Sequence, residues 1–201
     1  MTLRGLYVLT DAACCQPGGE ARLAAALAGR PGLLQLRCKE GLSEARARAL
    51  VALAHDHGVP VIINDDAHLA RVAGADGVHL GRGDGDVPSA RALLGPRAII
   101  GVSCYGDLER ARVLASEGAD YLAFGRFFPS RTKPHAVQAN PDLLRQARVF
   151  GKPLVAIGGI LPDNAPALIA AGASLVAVID GVFGQPDITA AVRAYQALFE
   201  D

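Results

Sequence analysis

Side chains able to do chemistry recur where short apolar runs end. Gln35-Leu36-Arg37-Cys38-Lys39 closes the run that begins at Leu33. Alternate residues of a strand share a face, so Gln35, Arg37 and Lys39 are expected together, with Leu36 and Cys38 opposite. Cations gathered at one buried place need an anion, because an unpaired buried charge is costly. A phosphate or diphosphate suits an arginine fork beside a lysine point charge. A solvated strand end paired to nearby carboxylates fits the segment equally well. Asn64-Asp65-Asp66 ends the next run. Two carboxylates and an amide suit a hard cation such as Mg²⁺, which takes one or two carboxylates plus substrate phosphate oxygens. Helix capping accounts for Asp66 but leaves Asn64 and Asp65 over. Asp84, in His79-Leu80-Gly81-Arg82-Gly83-Asp84, is a candidate second carboxylate, although a Gly/Asp turn explains that segment alone more simply. His79 is a ligand, a base or, more commonly for such a position, a hydrogen-bonded core group.

Later runs end in the same way. Ser103, in Gly101-Val102-Ser103-Cys104-Tyr105, can hydrogen-bond a ligand, but no base stands beside it in sequence to make it a nucleophile. Cys104 reads as a small packed hydrophobe. The segment from Gly125 to His135 carries Arg126, Arg131 and Lys133, the hydroxyls of Ser130 and Thr132, and two phenylalanines. That mixture suits a cover over an anionic ligand better than a plain basic loop. Gly158-Gly159 lets a backbone come close to an anion, and Ile179-Asp180-Gly181 closes the last run. Ordinary turn chemistry explains the glycine pair alone.

The elements that must position these groups alternate in type. Strands are expected at Leu6–Thr10, Leu33–Arg37, Val61–Ile63, Gly77–Leu80, Ala98–Ser103, Tyr121–Phe124, Pro153–Ile157 and Leu175–Val178. Helices are expected at Ala21–Ala28, Ser43–His57, Ala67–Ala73, Pro88–Leu94, Leu108–Glu117, Pro141–Val149, Pro162–Ala171 and Ile188–Phe199. Continuous apolar strands with helices between them mean a parallel sheet. Eight such units in 201 residues predict an α/β chain folded as one (β/α)₈ TIM barrel of near-minimal size, residues 1–201. A doubly wound open sheet is the rival. In a barrel the chemistry collects where strands end, which is where the polar groups lie.

Composition narrows the partners. Twenty basic and twenty acidic residues give zero net charge, which argues against a nucleic-acid surface. The absence of Trp, with only four Tyr and six Phe, leaves few platforms for stacking bases. No apolar run reaches the length of a membrane span, and the N-terminal segment is too short and too soon interrupted for a signal peptide. Cys14, Cys15, Cys38 and Cys104 form no C-x-x-C pair, and two are adjacent. That suits neither a disulfide scaffold nor a zinc site and makes a reduced, cytoplasmic protein the expectation. Small-molecule substrates are the expected partners, and the sequence leaves a homo-oligomer open.

Six blocks, Gln35–Lys39, Ile63–Asp66, Ala75–Gly81, Gly101–Ser103, Phe128–Lys133 and Ala156–Ile160, resemble in type and order the thiamine phosphate synthase family, whose fold the thiazole tautomerases share. They extend along essentially the whole chain. The resemblance implies a Mg²⁺-dependent transferase that joins hydroxymethylpyrimidine diphosphate to thiazole phosphate, forming thiamine phosphate and pyrophosphate. It implies that Gln35, Arg37, Lys39, Asn64 and Lys133 hold the pyrimidine diphosphate, with Ser103 near the ring, and that Arg37, Lys39, Ser103 and Lys133 serve catalysis. Asp65 and Asp84 would hold the metal. Ser130, Arg131 and Thr132, with the backbone around Gly159, Ile179 and Asp180, would meet the thiazole phosphate. Four positions depart from the family pattern: Ser130 for Thr, Cys38 for an acidic residue, Tyr105 for His and Asp180 for Ser. A carboxylate at position 180 would repel a phosphate. Two other readings stand beside the transferase. One is a tautomerase-like isomerase using Tyr105, His79 or His135 as acid or base; the other is a non-catalytic binder of a phosphorylated metabolite.

Overall fold

The structure is a computed structural model that describes residues 3–129 and 139–200. Eight parallel strands close into a barrel in sequence order. They are β1 (Gly5–Leu9), β2 (Leu33–Leu36), β3 (Val61–Asn64), β4 (Gly77–Leu80), β5 (Ile99–Tyr105), β6 (Tyr121–Gly125), β7 (Leu154–Ile157) and β8 (Leu175–Val178). Closure is explicit: β1 pairs with β8 from Gly5↔Leu175 to Val8↔Val178. An open doubly wound sheet would leave those two edges unpaired, so that rival is excluded.

Strand alternation sorts the side chains into two layers. Leu6, Val8, Leu34, Leu36, Val61, Ile63, Ile100, Val102, Leu122 and Phe124 point outward against the helices. Tyr7, Leu9, Leu33, Ile62, Tyr121, Ala123, Val155, Leu175 and Ala177 fill the barrel interior. Gln35, His79 and Ser103 lie on the same inward phase as these, which is how polar groups come to sit inside. Tyr121 needs space there, and Gly101 on the neighbouring strand supplies it. A Cβ on Gly101 would lie 1.8 Å from the Tyr121 ring.

The helices match the expected segments with ends shifted by up to three residues. They include α3 (Glu44–Asp56), α4 (Ala67–Ala73), α5 (Val87–Leu94) and α6 (Leu108–Ser116). Each is capped by the side chain before it: Ser43, Asp66, Asp86 and Asp107. Two short helices were not expected from sequence, α1 (Ala12–Cys15) and α9 (Asp180–Phe183); four residues are too few to show a period. The remaining helices are α2 (Glu20–Ala28), α7 (Asp142–Ala147), α8 (Ala165–Ala171) and α10 (Ile188–Gln196). β5 continues past Ser103 to Tyr105 through a register shift against β6. At the opposite end of the barrel, Asp76 and Asp120 stitch strands together. The carboxylate of Asp76 accepts from Val61 N at 2.7 Å, and that of Asp120 from Ile100 N at 2.7 Å.

One sequence expectation is overturned. Cys15 and Cys38 form a disulfide, with Cα atoms 5.9 Å apart. Adjacency of Cys14 and Cys15 argued against any bridge, but α1 carries Cys15 over the end of β2 and buries Cys14 in the core. Burial pushes the Cys14 thiol up to about 12, so it behaves as a packed apolar group. The cysteines therefore no longer argue for a reducing compartment. The bridge closes a loop with a sequence separation of 23, which in the chain-entropy picture stabilises by about 3 kcal/mol. Cys38→Ser is expected to lower the melting temperature. Reductant should lower the wild-type melt to the same value and leave the variant unmoved, as differential scanning calorimetry would read.

Candidate active site

A cavity of about 450 Å³ opens at the C-terminal ends of the strands, within the usual size range for small-ligand sites. Gln35, Arg37, Asn64, Asp65, Asp84, Ser103, Gly159, Ile179 and Asp180 all line it, so most of the residues singled out from sequence converge. Lys39 does not line it. It lies in an adjoining hollow with Arg37, Cys38, Asp11 and Asp180. The alternation that grouped Gln35, Arg37 and Lys39 fails because β2 stops at Leu36. For the same reason Cys38 does not face away from Arg37 and Lys39; it shares their hollow, bonded to Cys15. Ser130, Arg131, Thr132, Lys133 and His135 lie outside the described residues.

Arg37 is held through its backbone. Its N–H donates to Thr10 Oγ1 at 2.8 Å, and Thr10 is buried. Arg37 lines both the cavity and the hollow beside it. Thr10 was not singled out from sequence because a Thr at a strand end has no distinctive spacing.

The carboxylate pair is built from two unrelated turns. Asp65 adopts φ +66, a conformation few non-glycine residues accept. Its N–H donates to His79 O at 2.8 Å, which ties the end of β3 to the end of β4. Asn64 Nδ2 donates to Asp65 Oδ2 at 2.5 Å. Asp84 turns back onto its own loop, where its Oδ2 accepts from Gly81 N at 2.9 Å. Asp66 does what capping predicted, accepting from Leu69 N at 2.7 Å. Partial burial, then hydrogen bonding and charge repulsion from Asp84, raise the Asp65 carboxyl to about 6. Asn64 and Arg37 pull the other way. Asp65 and Asp84 are the residues here that could hold a cation; no cluster of three or more His, Cys, Asp or Glu ligands forms among the described residues.

His79 is a hydrogen-bonded core group, and it also stands beside Ser103. Its Nε2 is 2.8 Å from Ser103 Oγ and its Nδ1 is 2.9 Å from Tyr121 Oη. The base that sequence could not place next to Ser103 is supplied by β4, 24 residues away along the chain. The pair is nevertheless a poor nucleophile–base arrangement, because a phenol rather than a carboxylate backs the imidazole. Burial keeps that phenol protonated by raising its pKa well above the usual value. The row continues from Tyr121 Oη to Tyr7 Oη at 2.8 Å and from Tyr7 Oη to Gln35 Nε2 at 2.6 Å. Tyr7 and Tyr121 were missed as site residues because strand aromatics read as core.

The opposite wall comes from the loops after β6 and β7. Phe128 N donates to Gly158 O at 3.0 Å, continuing the pairing of these strands. A Cβ on Gly158 would lie 2.4 Å from Arg126 Cβ, and one on Gly159 would lie 2.2 Å from Pro129 O. The glycine pair thus lets two loops pack together. Arg126 lines the cavity as well. Asp180 opens α9 at the rim shared with the hollow. Tyr105 lines the cavity too, and its Oη accepts from Arg82 N at 3.1 Å.

The sequence matches the family model described as thiamine monophosphate synthase over residues 6–182. The chain belongs to the thiamine monophosphate synthase family. A thiamine-phosphate synthase of Xanthomonas campestris pv. campestris is 56% identical over 169 residues, 83% of this chain and 82% of that one. One from Azoarcus sp. is 52% identical over 203 residues, 98% of each chain. Among solved structures, the thiamine phosphate pyrophosphorylase of Pyrococcus furiosus superposes with a TM-score of 0.85 at 30% identity, covering 98% of this chain and 96% of that one. Membership of the thiamine monophosphate synthase family thus extends through the barrel that carries the cavity.

The raised Asp65 gives a pH signature with a definite sign. Its ordinary value is near 3.8 and its folded value about 6. The folded state therefore keeps a proton between those values that the unfolded chain would release. The associated stability is complete below the lower value and is lost as pH rises through the higher one. Asp65→Asn should then be more stable than the wild type above pH ~6, by no more than about 1 kcal/mol after solvent screening, and show no gain near pH ~4. Carboxyl NMR should show the Asp65 midpoint falling toward its ordinary value in Asp84→Asn.

Proposed function

We propose that the chain is a thiamine phosphate synthase. It joins 4-amino-5-hydroxymethyl-2-methylpyrimidine diphosphate to hydroxyethylthiazole phosphate and releases pyrophosphate. Family membership supports the reaction. The observation that carries the site reading is the convergence of Arg37 with the Asp65–Asp84 carboxylate pair in one cavity. A guanidinium and paired carboxylates are what a diphosphate and its divalent cation require.

Asp65 and Asp84 fit Mg²⁺ by their chemistry. They are two hard oxygen donors whose mutual repulsion a divalent cation would relieve. Bound there, Mg²⁺ supplies charge neutralisation on the departing pyrophosphate. The protein's own part is electrostatic and positional. Arg37 stabilises negative charge on the leaving group at the cavity wall, with Lys133 assigned to the same diphosphate; Lys39, in the hollow that Arg37 also lines, can reach that diphosphate only past Arg37. The 4-amino group of the pyrimidine donates electrons as the C–O bond breaks. The thiazole nitrogen attacks with a lone pair it already holds, so no general base is needed. Gln35, Asn64 and Ser103 hold the pyrimidine in line for that attack, making a bimolecular step effectively unimolecular. Ser130, Arg131, Thr132 and the backbone around Gly159, Ile179 and Asp180 take the thiazole phosphate. Loops after the last two strands and a short extra helix such as α9 are the common phosphate position in this fold. The exposed Asp180 side chain at the rim can turn toward solvent, away from that phosphate.

The Ser103–His79 pair favours a second reading, an isomerase that moves a proton on a thiazole carboxylate phosphate without metal. One assay separates the two: pyrophosphate release on mixing the protein with both substrates and Mg²⁺, each omitted in turn. The transferase reading expects release that needs all three, with thiamine phosphate as co-product. Metal-independent isomerisation without release would replace it. Asp65→Asn and Lys133→Ala should each lower kcat by about 10²–10³ with no lowering of the melt; near wild-type turnover in both would remove these roles.

A further inference from the structure

The row Gln35–Tyr7–Tyr121–His79–Ser103 connects two residues of the cavity wall through groups buried in the barrel. Tyr7 is 1%, Tyr121 0% and His79 8% exposed. The links measure 2.6, 2.8, 2.9 and 2.8 Å. Each phenol has one proton to give, and a neutral imidazole has one N–H. The protons must therefore point the same way along the whole row, or a link is lost.

In this structure the row runs outward from Gln35. Its Nε2 donates to Tyr7 Oη, so Tyr7 donates to Tyr121, Tyr121 donates to His79 Nδ1, and His79 Nε2–H donates to Ser103 Oγ. At the cavity this leaves Gln35 Oε1 as an acceptor and the Ser103 O–H as a donor. No described residue other than His79 hydrogen-bonds Ser103 Oγ. An amino group beside a ring nitrogen matches that pair of ends. An oxo group beside a ring N–H has the opposite pattern and needs the whole row reversed.

We propose that Tyr121 and His79 are positioning residues: they couple Gln35 to Ser103 so that the two ends always present opposite hydrogen-bonding senses, and the sense set at Gln35 selects an amino–imine heterocycle edge. The choice of heterocycle rests on the function proposed above; the coupling itself does not.

The experiment exploits an acceptor-only end. Gln35→Glu, kept ionised above pH ~8, can still accept from an exocyclic amine, so its direct contact with substrate is preserved. Through the row, however, it forces Tyr7 to donate to it, and His79 must then carry its proton on Nδ1. Nitrogen-15 NMR of the His79 ring, assigned by comparison with His79→Gln, reads this without any ligand. The expected result is the Nε2–H tautomer in the wild type, Nδ1–H in Gln35→Glu, and no response to Gln35→Glu when Tyr121→Phe cuts the row. An unchanged tautomer in Gln35→Glu, or the same change with Tyr121→Phe present, overturns the coupling. Should Gln35→Glu not fold, Tyr121→Phe alone must release His79 from a single Nε2–H form, and a tautomer that stays fixed overturns it equally. The kinetic arm tests the ligand class. KM for the pyrimidine diphosphate should rise about tenfold in Gln35→Glu, and much less when Tyr121→Phe is also present. A flat KM with a switching tautomer would overturn the heterocycle assignment while the coupling stands. Absence of turnover in the folded wild type would be a failure of the proposed function, with the NMR result still deciding the relay.

Discussion

The interior of this barrel is apolar, yet polar side chains from five strands sit inside it: Tyr7, Gln35, His79, Ser103 and Tyr121. A buried polar group without a partner costs about as much as a good share of a domain's net stability. The fold meets this constraint by lining the groups up so that each satisfies the next. Much else follows from that row. Gly101 has no side chain because the Tyr121 ring occupies its space. The two tyrosines meet edge to face at 5.8 Å, and His79 stacks on Tyr121 at 5.6 Å, so ring packing and hydrogen bonding reinforce one another. The row ends at Gln35 and Ser103, where the barrel opens into the cavity.

Around that fixed floor the charged groups are arranged by loops rather than strands. Arg37 stands one residue past β2 and is tied through its backbone to Thr10. Asp65 stands one residue past β3 in a left-handed conformation, and Asp84 is turned back onto Gly81. Strands supply rigidity below, and loop geometry aims charge above. The result is a site with an uncharged, hydrogen-bonding base and a charged rim. The Cys15–Cys38 bridge adds a covalent tie at the same rim, between α1 and the segment that carries Arg37 and Lys39.

Much of this was legible in the sequence. The alternation of apolar runs with helical segments gave eight units, and the pairing of β1 with β8 closed them as expected. The strand-end residues Gln35, Arg37, Asn64, Asp65, Asp84, Ser103 and Asp180 do share one cavity. Lys39 was misplaced because alternation was carried past the end of β2, where the backbone no longer obeys it. Tyr7 and Tyr121 gave no signal, since an inward strand tyrosine looks the same whether its hydroxyl is idle or one link in a row. The disulfide was hidden for a similar reason: its cysteines are 23 apart, and only α1 brings them within reach.

By itself, then, the sequence determined the properties that repeat along the chain at short range. These are the strand and helix periods, the cap at Asp66, and the appearance of polar groups wherever an apolar run ends. Tertiary structure alone decided which of those groups meet: Ser103 with His79, Asp65 with Asp84, Cys15 with Cys38. Period and capping depend on neighbours within a turn or two, so they are written locally. Hydrogen bonds, charge coupling and disulfides depend on separations of a few ångströms between distant segments, and those separations exist only once the barrel has closed.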